Sequence, residues 1–150
     1  MDISLQHPVL NILLADDDKD DRLFFDLALK ELEFPTNLVT VEDGEKLMDY
    51  LLKNTEKLPD VLFLDLNMPR KNGSECLSEI KSNPKLSRLP VVIYSTSVHD
   101  DIADMCYKNG AHYYVPKRDF NELIKILHHA LTLMVKNKFA KPARERFILN

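Results

Sequence analysis

The sequence predicts an α/β protein built on a doubly wound parallel sheet with helices on both faces. Short apolar runs without alternation recur along it, as in Leu10-Asn11-Ile12-Leu13-Leu14-Ala15 and Val61-Leu62-Phe63-Leu64, the mark of strands buried on both sides. Segments with apolar residues at helical spacing lie between these runs, giving a strand-helix unit five times over. Both runs end in acid, Asp16-Asp17-Asp18 and Asp65, at the carboxyl ends of the strands where such sheets gather their ligands.

The elements follow in order. After the first strand, Leu23, Phe24, Leu27, Ala28 and Leu32 mark the inward face of a helix stopped by Phe34-Pro35, with Asp20 and Asp21 in its first turn, where the helix dipole favours negative charge. Leu38 to Val41 make a short strand. Asp43-Gly44 opens a helix through Leu47, Tyr50, Leu51 and Leu52. The strand ending at Asp65 precedes a helix from about Gly73, through Leu77 and Ile80, to Asn83-Pro84. Pro90 to Ser95 form a fourth strand, and Asp100 or Asp101 starts a helix carrying Ile102, Met105 and Cys106, which Gly110 ends. His112 to Val115 form a fifth strand, and Phe120, Leu123, Ile124, Leu127 and Leu131 the last helix. Met105 is expected in the core, and His99 and His112 at the surface or in loops.

At 150 residues the chain suits one domain with its own core. We place this domain at residues 8–135 and a basic, apolar extension at 136–150, where Lys136, Lys138, Lys141, Arg144 and Arg146 face Glu145 alone. The extension reads as a frayed tail or, because Phe139, Phe147, Ile148 and Leu149 are too apolar for an idle one, as a docking arm on its own domain or another chain. Lys plus Arg number 20 and Asp plus Glu 24, a net charge of −4, which argues against nucleic acid as the main partner. Cys76 and Cys106 read as buried thiols of a reducing compartment. No apolar run approaches the roughly 20 residues needed to span a bilayer, and a cytoplasmic protein without a membrane partner is expected.

Aligning the strand ends brings together Asp16, Asp17, Asp65, Ser95 and Lys117. Buried carboxylates demand a compensating cation, and hard oxygen ligands in a small anionic site suit Mg²⁺, or Mn²⁺. A metal-flanked carboxylate beside an ammonium and a hydroxyl is prepared for a phosphoryl group. Attack by that carboxylate at phosphorus gives an acyl phosphate. A calcium loop is excluded, since Asp21 and Leu27 stand where glycine and a bidentate glutamate are required.

These residues carry a resemblance. Ile12-Leu13-Leu14-Ala15-Asp16-Asp17, then Asp65-Leu66-Asn67-Met68-Pro69 with Gly73, then Leu89-Pro90-Val91 leading to Ser95, and Gly110-Ala111 through Tyr114 to Lys117 resemble the receiver domain of two-component response regulators, of the chemotaxis-regulator type. The resemblance covers roughly Leu10 to Val135. It implies the flavodoxin-like receiver fold with strand order 2-1-3-4-5. It also implies Asp65 as phosphoacceptor and Asp17, Asp16 and the Asn67 backbone carbonyl as further Mg²⁺ ligands. Ser95 becomes the switch hydroxyl, Tyr114 the aromatic that moves with it, and Lys117 the phosphate-pairing lysine. Two residues depart from the pattern. Arg118 stands where proline commonly follows the lysine, and Thr96 where a small residue follows the switch hydroxyl.

The acid-rich start Ala15 to Arg22 is similar to stand-alone receivers that partner phytochrome-type or other sensor kinases. The resemblance thus implies phosphoryl transfer from a sensor histidine kinase and output through a separate, unidentified protein, with a homodimer also open. The alternative is a receiver-shaped scaffold that no longer cycles. A phosphatase would need a general acid two residues after its nucleophile, and Asn67 cannot protonate a leaving group. The protein is therefore expected to be no enzyme beyond catalysing its own phosphorylation and dephosphorylation.

Overall fold

Strand and helix alternate without exception through the domain. The structure, a computed structural model, describes residues 9–33, 35–96 and 99–150. Its elements are β1 (Leu10–Ala15), α1 (Lys19–Lys30), β2 (Thr36–Val41), α2 (Gly44–Lys53), β3 (Val61–Leu64) and α3 (Gly73–Ser82). They continue as β4 (Val91–Ser95), α4 (Asp100–Lys108), β5 (Tyr113–Pro116) and α5 (Phe120–Lys136). Residue 8, the expected start of the domain, and Phe34, half of the expected stop after α1, lie outside the described residues.

The five strands form one parallel sheet in the order β2-β1-β3-β4-β5. In register, Ala15 faces Leu64 and Leu64 faces Ile93, so β1 and β3 end at the same level and β4 runs two residues further, to Ser95. The Asp65 N–H donates to the Ala15 carbonyl at 2.9 Å, extending the ladder one residue and fixing Asp65 beside Asp16. All four residues of β3 are buried. Their alternation divides the core in two, Leu62 and Leu64 facing Leu47, Leu77 and Ala103, and Val61 and Phe63 facing Phe25, Leu127 and Leu131. A sheet covered on both sides explains why its strands read as unbroken apolar runs.

Side chains cap the helices. Asp18, Asp43 and Asp119 each accept backbone N–H groups from the first turn that follows them, and Asn72 forms a reciprocal capping box with Glu75. These oxygens satisfy donors that would otherwise lack a partner, a contribution of about 1 kcal/mol each.

Two expectations need correction. Phe25, Ala28 and Leu29 are the buried residues of α1, while Leu23, Phe24 and Leu27 are 41–52% exposed. Phe25 wins the inward place because its ring meets Phe63 and Tyr94 edge-on, at centroid distances of 5.0 and 5.5 Å. Met105 is exposed rather than in the core, because α4 turns Ala103 and Cys106 inward. His112 stands in the loop before β5, as expected, half-buried and with its Nδ1 shielded from water.

The residues after α5 return to the sheet. Phe147 is fully buried and Leu149 nearly so. The Tyr114 N–H donates to the Phe147 carbonyl at 3.0 Å, and the Leu149 N–H donates to the Tyr114 carbonyl at 2.9 Å. The Phe147 ring packs edge-on against Tyr107 and Tyr114, and Arg144 pairs with Asp104 of α4 at 2.8 Å. The segment is thus docked on its own domain.

Candidate functional site

The carboxyl ends of β1 and β3 put three carboxylates within reach of one ion. One oxygen from each of Asp16, Asp17 and Asp65 lies within 4.8 Å of the others. Asp16 is fully buried and Asp65 is 4% exposed, while Asp17 opens to solvent. Asp16 Oδ1 accepts the Asp18 N–H at 2.9 Å, and the Asp16 carbonyl accepts from Arg22 at 2.8 Å. Asp16 Oδ2, though buried, has no aligned hydrogen-bond donor. Asp65 Oδ1 accepts the Asn67 N–H at 3.1 Å. A hard, anionic, three-oxygen set fits a divalent cation.

Lys117, at the end of β5, supplies the compensating charge. Its Nζ lies 2.8 Å from Asp16 Oδ2, 2.9 Å from Asp21 Oδ2 and 3.5 Å from Asp65 Oδ2. It also stands over the Tyr94 ring, 5.1 Å from the centroid. The Lys117 N–H donates to the Ser95 carbonyl at 2.7 Å, which anchors the lysine loop to the end of β4. Burial pushes the Asp65 carboxyl up to about 6 against the opposing pull of Lys117, and burial likewise raises Asp16. The carboxylates hold the Lys117 ammonium above its ordinary range, overcoming the opposite effect of burial. The site therefore carries more negative charge than one lysine neutralises, and it favours a further cation.

Ser95 is buried at the end of β4, and its side chain is hydrogen-bonded to that of Tyr114. Both border an open cleft of about 620 Å³ with Met68, His99, Ile102 and Met105. Of the neighbouring tyrosines, Tyr114 faces this side and Tyr113 packs with the α5 core. Thr96 is exposed just beyond the strand. Arg118 pairs with Glu122 at 3.8 Å, and every peptide bond among the described residues is trans. Gly73 backs the site: a Cβ there would stand 2.2 Å from the Asp65 carbonyl oxygen, so this position excludes any side chain.

All the residues singled out from sequence thus border one carboxyl-edge region, with Thr96 and Arg118 at its rim. Asp21 is the residue that sequence reasoning missed, having been read as a helix-start charge. Its placement four residues after Asp17 was the one available hint.

Comparison with known proteins agrees with this geometry. The family model for the response regulator receiver domain matches residues 12–128. The response regulator Rcp1 of Synechocystis is 35% identical over 126 residues, covering 81% of this chain and 86% of that protein. The phosphorylated cyanobacterial phytochrome response regulator RcpA superimposes with a TM-score of 0.78 at 33% identity, over 91% of this chain and 100% of that one. The Mn²⁺-bound form of Rcp1 gives 0.75 at 32%, over 89% and 99%. The sheet order and the acidic cluster define a receiver. This chain belongs to the response regulator receiver domain family.

Proposed function

We propose that the protein is a single-domain response regulator that takes a phosphoryl group from a sensor histidine kinase onto Asp65. The observation that carries this reading is the convergence of Asp16, Asp17 and Asp65 with the Lys117 ammonium at the sheet's carboxyl edge. An Asp65 carboxylate oxygen attacks phosphorus, the P–N bond of the kinase phosphohistidine breaks, and the departing imidazole takes up a proton. Asp16, Asp17, Asp65 and the Asn67 backbone carbonyl would hold Mg²⁺ or Mn²⁺, which when bound neutralises charge on the transferring group. Lys117 pairs with a second phosphoryl oxygen and Ser95 donates to a third. The Ser95–Tyr114 contact lets that hydroxyl bias the β5 face, so phosphorylation shifts a two-state population rather than building a new structure.

The donor surface adjoins the site. Leu23, Phe24 and Leu27 on α1, with Phe120 at the start of α5, expose apolar area, and the Phe24 and Phe120 rings meet at 6.4 Å. We assign this patch to the phosphohistidine-bearing surface of the kinase, because α1 also supplies Asp21 to Lys117. Likeness to RcpA and Rcp1 supports a phytochrome-type kinase. The domain at 8–135 then acts through a separate output protein, with the 136–150 extension lying on α4 and β5. The buried free thiols suit the cytoplasm.

Intact mass after incubation with Mg²⁺ and acetyl phosphate tests the core of this reading. One phosphate adduct is expected on the wild type and none on Asp65→Asn, with Lys117→Ala weakened but still able to bind the metal. Equal incorporation by Asp65→Asn would show that the acceptor lies elsewhere.

A further inference from the structure

Lys117 has more partners than it needs. Its three carboxylates are not equivalent: Asp16 and Asp65 belong to the trio that can hold a cation, and Asp21 does not. Asp21 projects from the first turn of α1, its side chain 33% exposed, to a Lys117 side chain that is only 11% exposed. This contact spans 96 residues of sequence, whereas the neighbouring Asp20 is exposed. At 2.9 Å the Asp21 contact is shorter than the 3.5 Å contact to Asp65. The ammonium is drawn toward α1 and away from the acceptor carboxylate.

We infer that Asp21 is a positioning residue that competes with the phosphoryl group for Lys117 and so sets how long Asp65 stays phosphorylated. The inference rests on the reading of Asp65 as acceptor. An ammonium has a fixed number of donors, three in all; here Asp21 and Asp65 accept hydrogen bonds from it, and Asp16 holds it as an ion pair at 2.8 Å. A phosphoryl oxygen on Asp65 gains Lys117 only as another partner gives way. Asp21, the most exposed of the three and outside the cation trio, is the partner that loses least by release. Its charge is then returned to water, while Asp16 has no such outlet. The competition lowers the affinity of the site for phosphoryl donors and shortens the life of the acyl phosphate. It also links α1, the helix we assign to the kinase, to the lysine that stabilises the product.

The test compares wild type, Asp21→Asn, Asp20→Asn and Asp21→Glu, each with and without Lys117→Ala, by intact mass with acetyl phosphate and Mg²⁺. Donor concentration at half-phosphorylation and the decay rate after donor removal are read separately. Asp21→Asn is expected to lower the first and slow the second about three- to tenfold, Asp20→Asn to change neither, and Asp21→Glu to stay near wild type. In the Lys117→Ala background the Asp21→Asn effect should vanish, which a general change of charge or a loosened helix would not produce. A decay rate unchanged in Asp21→Asn, or an effect that persists without Lys117, overturns the inference while Asp65-dependent labelling leaves the acceptor assignment standing. A wild type that takes no phosphate from acetyl phosphate or a kinase removes both.

Discussion

His112 shows how one residue can carry a pH dependence away from the acidic edge. Burial, with Lys81 and Lys141 nearby, pulls its imidazole down to about 4, against the upward pull of a hydrogen bond to the Phe139 backbone. In an unfolded chain the ring takes its proton near the ordinary value of 6.5. Between these two values the unfolded state binds more protons than the folded one. The stability that His112 contributes is therefore complete above pH 6.5 and lost as the pH falls toward 4. Urea melts should show the wild type losing about 2 kcal/mol more than His112→Gln across that window. Parallel curves for the two proteins would show that the ring is open to water. Gly73 makes a second prediction at this scale. Gly73→Ala pushes a methyl group into the Asp65 backbone, so it should cost about 1–3 kcal/mol and impair phosphate uptake together.

Among the elements, α1 divides stability from recognition. Phe25→Ala removes a fully buried ring and should cost about 3–5 kcal/mol. Phe24→Ser, one residue away and 47% exposed, should stay within about 0.5 kcal/mol of wild type yet slow phosphotransfer from the kinase with acetyl phosphate labelling unchanged. Slowed labelling by both donors would remove α1 from the docking surface. The same helix shows what sequence can and cannot reveal. The order of strands and helices was legible because strands buried on both sides have a composition of their own, and Asp16, Asp65, Ser95 and Lys117 were legible because strand ends are. The inward face of α1 was not, since Leu23, Phe24, Phe25, Leu27, Ala28 and Leu29 offer two overlapping apolar stripes. Phe63 and Tyr94, distant in sequence, chose between them. Asp21 was hidden for the same reason, its partner lying at the other end of the domain.

At the scale of the whole molecule, residues 137–150 complete the core rather than decorate it. Phe147 has no exposed surface and sits between Tyr107 and Tyr114, so Phe147→Ala should cost about 3–5 kcal/mol. A loss below about 1 kcal/mol in a urea melt would mean the segment is only loosely seated. No periodic pattern announced this docking, because a single bridge from Ile148 to Tyr114 repeats nothing. The bridge also bears on solubility. An open sheet has two rims, and unpaired backbone groups along a rim are a template for the strands of other molecules. Here the rim at β5 is answered from within, Tyr114 giving its N–H to Phe147 and its carbonyl to Leu149. A variant lacking residues 143–150 would leave that rim bare beside the emptied Phe147 seat, and rising light scatter on concentration is the expected result. By closing the rim, the segment guards the protein against its own copies.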